Sequence, residues 1–474
     1  MSLEVTAASL EEVLLDELQF SLKKGANYVT RRESVTMYPS GSGGYSYNAI
    51  KVIRIPLMAS AGQWLDPTTL SLSYDLKSNA PADVTTGASQ NRNRIKLNSG
   101  QHNIFSRLRI LVGGQTLEDI GGGGAGYNRL YDMYLKLAPE SYLKNYTVQG
   151  PGILEPFPSQ RFQYFDCREF APGSVTTMSM PLICGLFSSN TRWLPLRWLN
   201  PIIELELCDP TIAVRLPGHV TGPSGNTVTY SGDFAVENVR ITADICTLDD
   251  SLEQEFSKVL LSGRKMPLSL TTMNTTMHSL VPGDDAPTIT SNRSVSRLKT
   301  AFLSFYASRP ADGQGSEVNL FHHPLGASGD SSHPATVAAS SDGTAVPNNQ
   351  NYTLQFLVNS IVYPVMPIRN SKEMWTQLTK SLGQHNSTQH PLGISWLEYI
   401  TTQHIVGMDF ETVVSLGYTG INLRNNSNLS VQLSNLTLNG TLDANDAKTL
   451  RRAYITQVFD VVVEISDSGV LIMD

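Results

Sequence analysis

Residues 104–137 read IFSRLRILVGGQTLEDIGGGGAGYNRLYDMYLKL: an alternating apolar strand (104–112), a loop, and then an amphipathic helix, YNRLYDMYLKL (127–137). The same order returns later in the chain as LQFLVNSIVY (354–363), a loop and KEMWTQLTKSL (372–382), with helix starts 245 residues apart. Working outward, the strand LSLSYDL around Leu72 has a counterpart, FLSFY, around Leu303, 231 residues on. Each half closes with a strand, VENVRITADIC (236–246) and TQVFDVVVEI (456–465), whose starts are 220 residues apart. These offsets bracket half of the 474-residue length. The match is one of element order rather than identity, and it predicts two similar units in tandem.

The elements themselves are those of antiparallel β structure. KVIRIPL, LSLSYDL and IIELEL (202–207) alternate with period two and are separated by clusters of Gly, Pro, Asn and Ser, the pattern of sandwiches and barrels. Tyr127, Leu130, Tyr131 and Tyr134 form an apolar stripe on the first helix, and Met374, Trp375, Leu378 and Leu382 on the second. Each helix is therefore expected to pack on the side of its own sandwich. SLEQEFSKVLL, begun by Asp250 and Glu253, reads as a connector helix between the halves. The expected division is an N-terminal arm (1–27), a first unit (28–248), the connector (249–262) and a second unit (263–474). Residues 308–350 are rich in Gly, Ser, Asp, Asn and Pro and poor in aliphatic side chains, which predicts a long excursion from the second unit, with 211–233 as a smaller counterpart in the first.

Composition narrows the function. Hydrophobic residues make up 41% and charged residues 16%, well under the roughly 25% charged content of a typical soluble domain. So little charge predicts a surface largely covered by partners. The formal net charge of −7 disfavours bulk packaging of nucleic acid, which requires a basic face. No apolar run approaches the about 20 residues needed to span a bilayer. The first 20 residues hold five acids and no Lys or Arg, which argues against a signal peptide. Within them, SLEEVLLDEL (9–18) carries Ser9 as an N-cap with Glu12 three on, and an apolar stripe of Leu10, Val13, Leu14 and Leu18. Such an acidic amphipathic segment can pack on its own domain or on a neighbouring subunit.

The chain offers little catalytic chemistry. The Gly run at 121–126 is followed by no Lys-Ser/Thr and carries no G-x-G-x-x-G fingerprint, so a flexible surface loop is the expectation. His322 and His323 are adjacent and point to opposite faces if extended. Cys167, Cys184, Cys208 and Cys246 contain no C-x-x-C pair and read as buried free thiols. Glu204 and Glu206 share one strand face about 7 Å apart, within the range of a glycosidase pair. No G-x-S-x-G elbow occurs.

Four stretches carry a family likeness: YVTRRESVTMYPSGSGGYSYNAIKVIRIPL (28–57), QWLDPTTLSLSYDL (63–76), NIFSRLRILVGGQTLEDI (103–120) and MSMPLICGLFSSNTRWLPLRWLNPIIELEL (178–207). Together they resemble the major capsid proteins of double jelly-roll DNA viruses, above all the polinton-like viruses and their virophage and adintovirus relatives. The likeness covers much of 28–207, whereas the second half matches in element order only. The Gly run after Ile120 and the sparse apolar content of 308–350 depart from the family pattern. The resemblance implies an all-β fold of two tandem eight-stranded antiparallel jelly rolls, each with a short side helix, plus long apical loops. It further implies a homotrimer forming a pseudo-hexameric capsomer, one tile of an icosahedral shell around a double-stranded DNA genome. Implied partners are neighbouring capsomers, penton and minor capsid proteins and, in a lined virion, an internal membrane, with little direct nucleic-acid binding. No catalytic centre, metal or cofactor is implied. The location implied is the virion shell, assembled inside the host cell in cytoplasm or nucleus.

Two rival readings remain. A two-domain jelly-roll glycan hydrolase would use Glu204 and Glu206, with Trp193 or Trp198 lining a cleft. A carbohydrate-binding or adhesive β-sandwich would expose aromatics on loops, yet 308–350 holds a single one, Phe321.

Overall fold

The computed structural model describes residues 28–473 apart from 138–168, 215–218, 222–226, 308–351, 386–391, 412–418, 437–449 and shorter stretches elsewhere. The arm at 1–27, the excursion at 308–350, Cys167, His322, His323 and Phe321 lie outside the described residues.

Two sets of eight strands repeat each other. The first comprises β1 (Val29–Met37), β2 (Val52–Pro56), β3 (Ser71–Ser78), β4 (Phe105–Val112), β5 (Gln115–Ile120), β6 (Val175–Pro181), β7 (Ile202–Leu207) and β8 (Phe234–Leu248). The second comprises β9 (Met266–Ser279), β10 (Thr288–Thr290), β11 (Leu298–Ala307), β12 (Thr353–Val358), β13 (Ile361–Ile368), β14 (Ile405–Asp409), β15 (Leu429–Ser434) and β16 (Leu450–Ser466). In the first set one sheet runs β1-β8-β3-β6 and the facing sheet β2-β7-β4-β5; the second repeats this as β9-β16-β11-β14 and β10-β15-β12-β13. All these pairings are antiparallel. Each set is a jelly roll, and every strand has its equivalent eight places later. A last strand, β17 (Gly469–Met473), adds to β16.

Alternation explains the layers. In β3 every second residue is buried: Leu72, Tyr74, Leu76 and Ser78. Its inward face meets Ile53, Ile55, Leu108, Ile110, Ile203 and Leu205 from the facing sheet in one continuous core. Tyr74 and Phe105 cross at a ring separation of 5.3 Å, and the Tyr74 hydroxyl donates to the Gln101 carbonyl at 2.6 Å. The second roll packs Leu303 and Phe305 on Leu354, Phe356 and Val431 in the same manner. A fully buried side chain of this size contributes about 1.5–3 kcal/mol of transfer free energy.

The strands around Leu72 and Leu303, the strand of 104–112, the two side helices and the two closing strands all stand where the duplication predicted them. The loop expected after Val112 is instead a hairpin: Gly113 and Gly114, at φ of 56° and 82°, turn β4 directly into β5, as a two-residue turn with two left-handed residues does. LQFLVNSIVY is likewise two strands, β12 and β13, with Val358 opposite Ile361. Residues 211–233 are more than an excursion, since 219–221 and 227–230 join 84–86 and 89–96 in a small side sheet. This sheet uses the β3–β4 and β7–β8 connections, which leave a jelly roll from the same end. The connector helix, α2 (Asp250–Leu261), takes Asp249 as N-cap, one residue earlier than expected, with Oδ2 accepting from the Ser251 N–H at 3.2 Å. Cys184, Cys208 and Cys246 are buried free thiols.

The ends of the Gly run are packed rather than loose. A Cβ on Gly121, at φ of 104°, would sit 2.4 Å from the Ser106 carbonyl oxygen and 2.9 Å from the Tyr127 nitrogen. Gly121→Ala is therefore expected to cost roughly 2–5 kcal/mol of unfolding free energy, from backbone strain and overpacking together. Gly263, also left-handed at φ of 81° but facing open space, is the control. Gly263→Ala should cost about 1–2 kcal/mol in the same denaturant titration.

Candidate functional site

The two rolls meet along one wall, built from β5, the side helix α1 (Gly126–Leu137) and the turn 185–189 on the first roll, and from β9 on the second. Wall formation begins with α1. Its Tyr127, Leu130 and Tyr131 are buried, as the stripe predicts, but Asn128, Arg129, Asp132 and Met133 on the remaining faces are buried too. The second roll meets one of them, since Arg129 lies over the Tyr306 ring of β11, 4.5 Å from its centroid, whereas Asn128 donates to Asn103 Oδ1 within the first roll at 2.8 Å.

Burying polar groups requires partners for them. Glu118 of β5 is 1% exposed, and its carboxylate is met from both rolls. Oε2 accepts from the Gly185 N–H and the Thr272 hydroxyl, each at 2.7 Å, and Oε1 accepts from the Leu186 N–H at 2.6 Å. Burial pushes its pKa above the ordinary 4.5, and these three hydrogen bonds oppose that shift. Beside it, Ser189 Oγ donates to the Thr271 carbonyl at 3.0 Å. A Cβ on Gly185 would stand 2.6 Å from that same carbonyl oxygen, so the backbones touch there. Deeper in the first roll, Asp132 Oδ1 lies 2.6 Å from His102 Nε2, and the His102 ring stacks on Tyr131 at 4.5 Å.

The equivalent wall of the second roll is open in this single chain. Its side helix, α3 (Ser371–Ser381), buries Met374 and Leu378 and leaves the rest partly or fully exposed. Asn370 caps it by accepting from the Glu373 N–H, while Glu373 reaches back to accept from the Asn370 side-chain amide and the Arg369 N–H, a variant of the capping box. On β13, the counterpart of β5, Ile361 is 59% exposed, Val365 88% and Met366 72%. β1, the counterpart of the covered strand β9, is exposed over Thr30–Arg32 and at Ser34 and Thr36. Each half of the internal contact thus recurs elsewhere in the chain without its complement among the described residues.

The suspected carboxylates are already committed. On the outer face of β2-β7-β4-β5, Glu204 pairs with Arg54 and, at 3.1 Å, with Arg109, while Glu206 pairs with Lys51 at 2.7 Å. Arg107 makes a two-pronged contact with Asp119 at 2.6 and 2.7 Å. Register explains the ladder, because Glu204 lies opposite Arg54 and Arg109, and Glu206 opposite Arg107. Trp193 lines a groove beside the connector helix, and Trp198 meets Trp64 edge-on at 6.1 Å. The structure does not assemble the two Glu and two Trp into a cleft. Sequence reading missed Glu118, Arg129 and Asp132, which there look like ordinary solvated charges.

Removing Glu118 strands two backbone N–H groups in a dry wall. Glu118→Ala should cost about 2–4 kcal/mol by chemical denaturation, against under ~0.5 kcal/mol for Glu255→Ala on the exposed face of α2. The pH dependence has a definite sign. Because the folded chain holds this proton more tightly, the carboxyl's contribution is present below the unfolded value of 4.5 and is lost as pH rises through the raised folded value. The stability of the wild type relative to Glu118→Gln should accordingly fall as pH climbs from 4.5.

No protein-family model matches the chain, and no curated protein sequence does. Solved structures do. PBCV-1 VP54, fitted into a reconstruction of the virophage Sputnik, is similar at 12% identity and a TM-score of 0.58, over 96% of this chain and 99% of that one. The Faustovirus major capsid protein matches at 10% identity and a TM-score of 0.57, over 95% and 93%. A chain of the Sputnik virophage matches at 12% identity and 0.55, over 96% and 91%. The strand order and these whole-length likenesses agree: the chain folds as a double jelly roll, the fold of viral major capsid proteins.

Proposed function

We propose that the chain is a major capsid protein, three copies of which form a pseudo-hexameric capsomer. The observation that carries the reading is the half-used wall. The first roll's β5 and α1 are covered by β9 of the second roll, whereas α3 is only half covered and β13 leaves Ile361, Val365 and Met366 exposed. An apolar sheet edge left open invites association. If β13 and α3 of one chain pack on β1 of the next, three chains bring six similar rolls around one axis and no wall remains open. Heterologous contacts of this kind close into a ring when the rotation divides a full turn.

In this reading residues 28–248 and 263–474 are the two wedges, 249–262 joins them, and 308–350 forms the outward loop. Such capsomers would tile an icosahedral shell around double-stranded DNA, with penton and minor proteins at its vertices and seams. Assembly would take place in the host cell. The protein works by geometry rather than by catalysis. The enzyme alternative loses its main support, because Glu204 and Glu206 are neutralised by Arg and Lys rather than facing a cleft.

Light scattering after size exclusion should give three times the chain mass of 51.9 kDa, stable to dilution, as expected for an obligate interface of more than ~2,000 Å². Val365→Asp with Met366→Asp should return the mass of one chain with its unfolding transition retained. A wild type that stays monomeric at high concentration, or a double variant that still trimerises, overturns the reading.

A further inference from the structure

An open groove of about 760 Å³ lies where the two rolls and the connector helix converge. Trp64, Trp193, Leu252, Phe256, Met266 and Leu268 line it, with the Trp64 and Phe256 rings 5.0 Å apart. It sits at the end where β1 and β9 begin and β8 and β16 finish, opposite the end that carries the side sheet. An apolar concavity of this size on a single chain marks a binding surface.

We propose that the groove is the seat of the chain's own N-terminal segment, Ser9–Leu18. Three observations identify the occupant. First, the chain enters the described structure at the groove itself, since Tyr28 and Val29 are part of its lining. The nine residues 19–27 span at most ~30 Å when extended, enough to return a ten-residue helix, ~15 Å long, to that surface. Second, the segment carries what the groove lacks: Leu10, Val13, Leu14 and Leu18 fall on one helical stripe and match an apolar floor. Third, the charges are complementary. Glu11, Glu12, Asp16 and Glu17 stand off that stripe, and Arg192 stands among the lining residues, where the other lining cation, Lys265, is already paired with Glu464 at 2.6 Å. Arg192 makes no ion pair among the described residues. A tether this short holds the segment at an effective concentration on the order of millimolar, so modest affinity suffices and a neighbour's arm competes poorly. The arm thus folds back on its own chain instead of bridging to another.

The test is photo-crosslinking in the full-length protein. Val13 is replaced by p-benzoylphenylalanine in a mixture of 14N- and 15N-labelled chains, and adducts are mapped by mass spectrometry. The expected result is a same-isotope adduct to the peptides that hold Trp193, Leu252 and Phe256. Adducts between unlike isotopes, adducts elsewhere, or none would overturn the proposal. Hydrogen exchange gives a second readout with no altered residue in the groove. Deleting residues 1–20 should speed exchange of the α2 amides around Leu252 and Phe256 by about tenfold, and unchanged exchange would contradict the seat. Neither measurement depends on trimer formation, so failure here is distinguishable from failure of the capsid reading.

Discussion

The Glu118 carboxylate, held by two backbone N–H groups of its own roll and one hydroxyl of the other, fixes how the two rolls stand against each other. Burying a carboxylate is costly unless every lone pair is met, and here the carboxylate and its partners come from three separate pieces of chain: β5, the turn 185–189 and β9. The three must therefore arrive together. Around this point the wall has little slack. Gly185 admits no Cβ against Thr271, and Arg129 can lie over Tyr306 only when α1 is flush with β11. Polar satisfaction thus specifies the docking, while the apolar stripes supply most of its free energy.

The repeat then poses a physical problem. Two rolls with the same strand order present the same pair of walls, and one chain can join only one pair. The first roll's side helix is enclosed, and the second roll's equivalent is left half covered beside exposed aliphatic groups on β13. Divergence between the two helices is consistent with their neighbours: α1 carries Arg129 and Asp132 with partners already in the chain, whereas α3 carries Lys372, Glu373 and Lys380 toward solvent. Low charge content, otherwise odd for a chain of this size, follows if much of the remaining surface is wall.

Most of the fold was legible because it rests on period-two alternation. β3 and β11, β4, both side helices and both closing strands stand where the spacing put them. Among the strands that escaped, β5 and β13 are edge strands of the walls, and they escaped for that reason. QTLEDI breaks alternation because Glu118 faces the second roll, and IVYPVMPI carries two prolines, tolerated only on an edge. The ionic ladder was half legible: Arg107 and Arg109 alternate in one strand and Glu204 and Glu206 in another, but their register is a tertiary fact. His102 and Asp132 were invisible, being 30 residues apart and joined only by packing.

The measurement that bears most directly on the central claim is a three-dimensional structure of the purified oligomer in solution, by single-particle imaging. The repeat predicts a three-fold ring of six rolls in which β13 and α3 of each chain pack on β1 of the next, in the orientation that β5 and α1 take on β9 within the chain. A two-fold dimer, or a ring that leaves Ile361, Val365 and Met366 exposed, would contradict it.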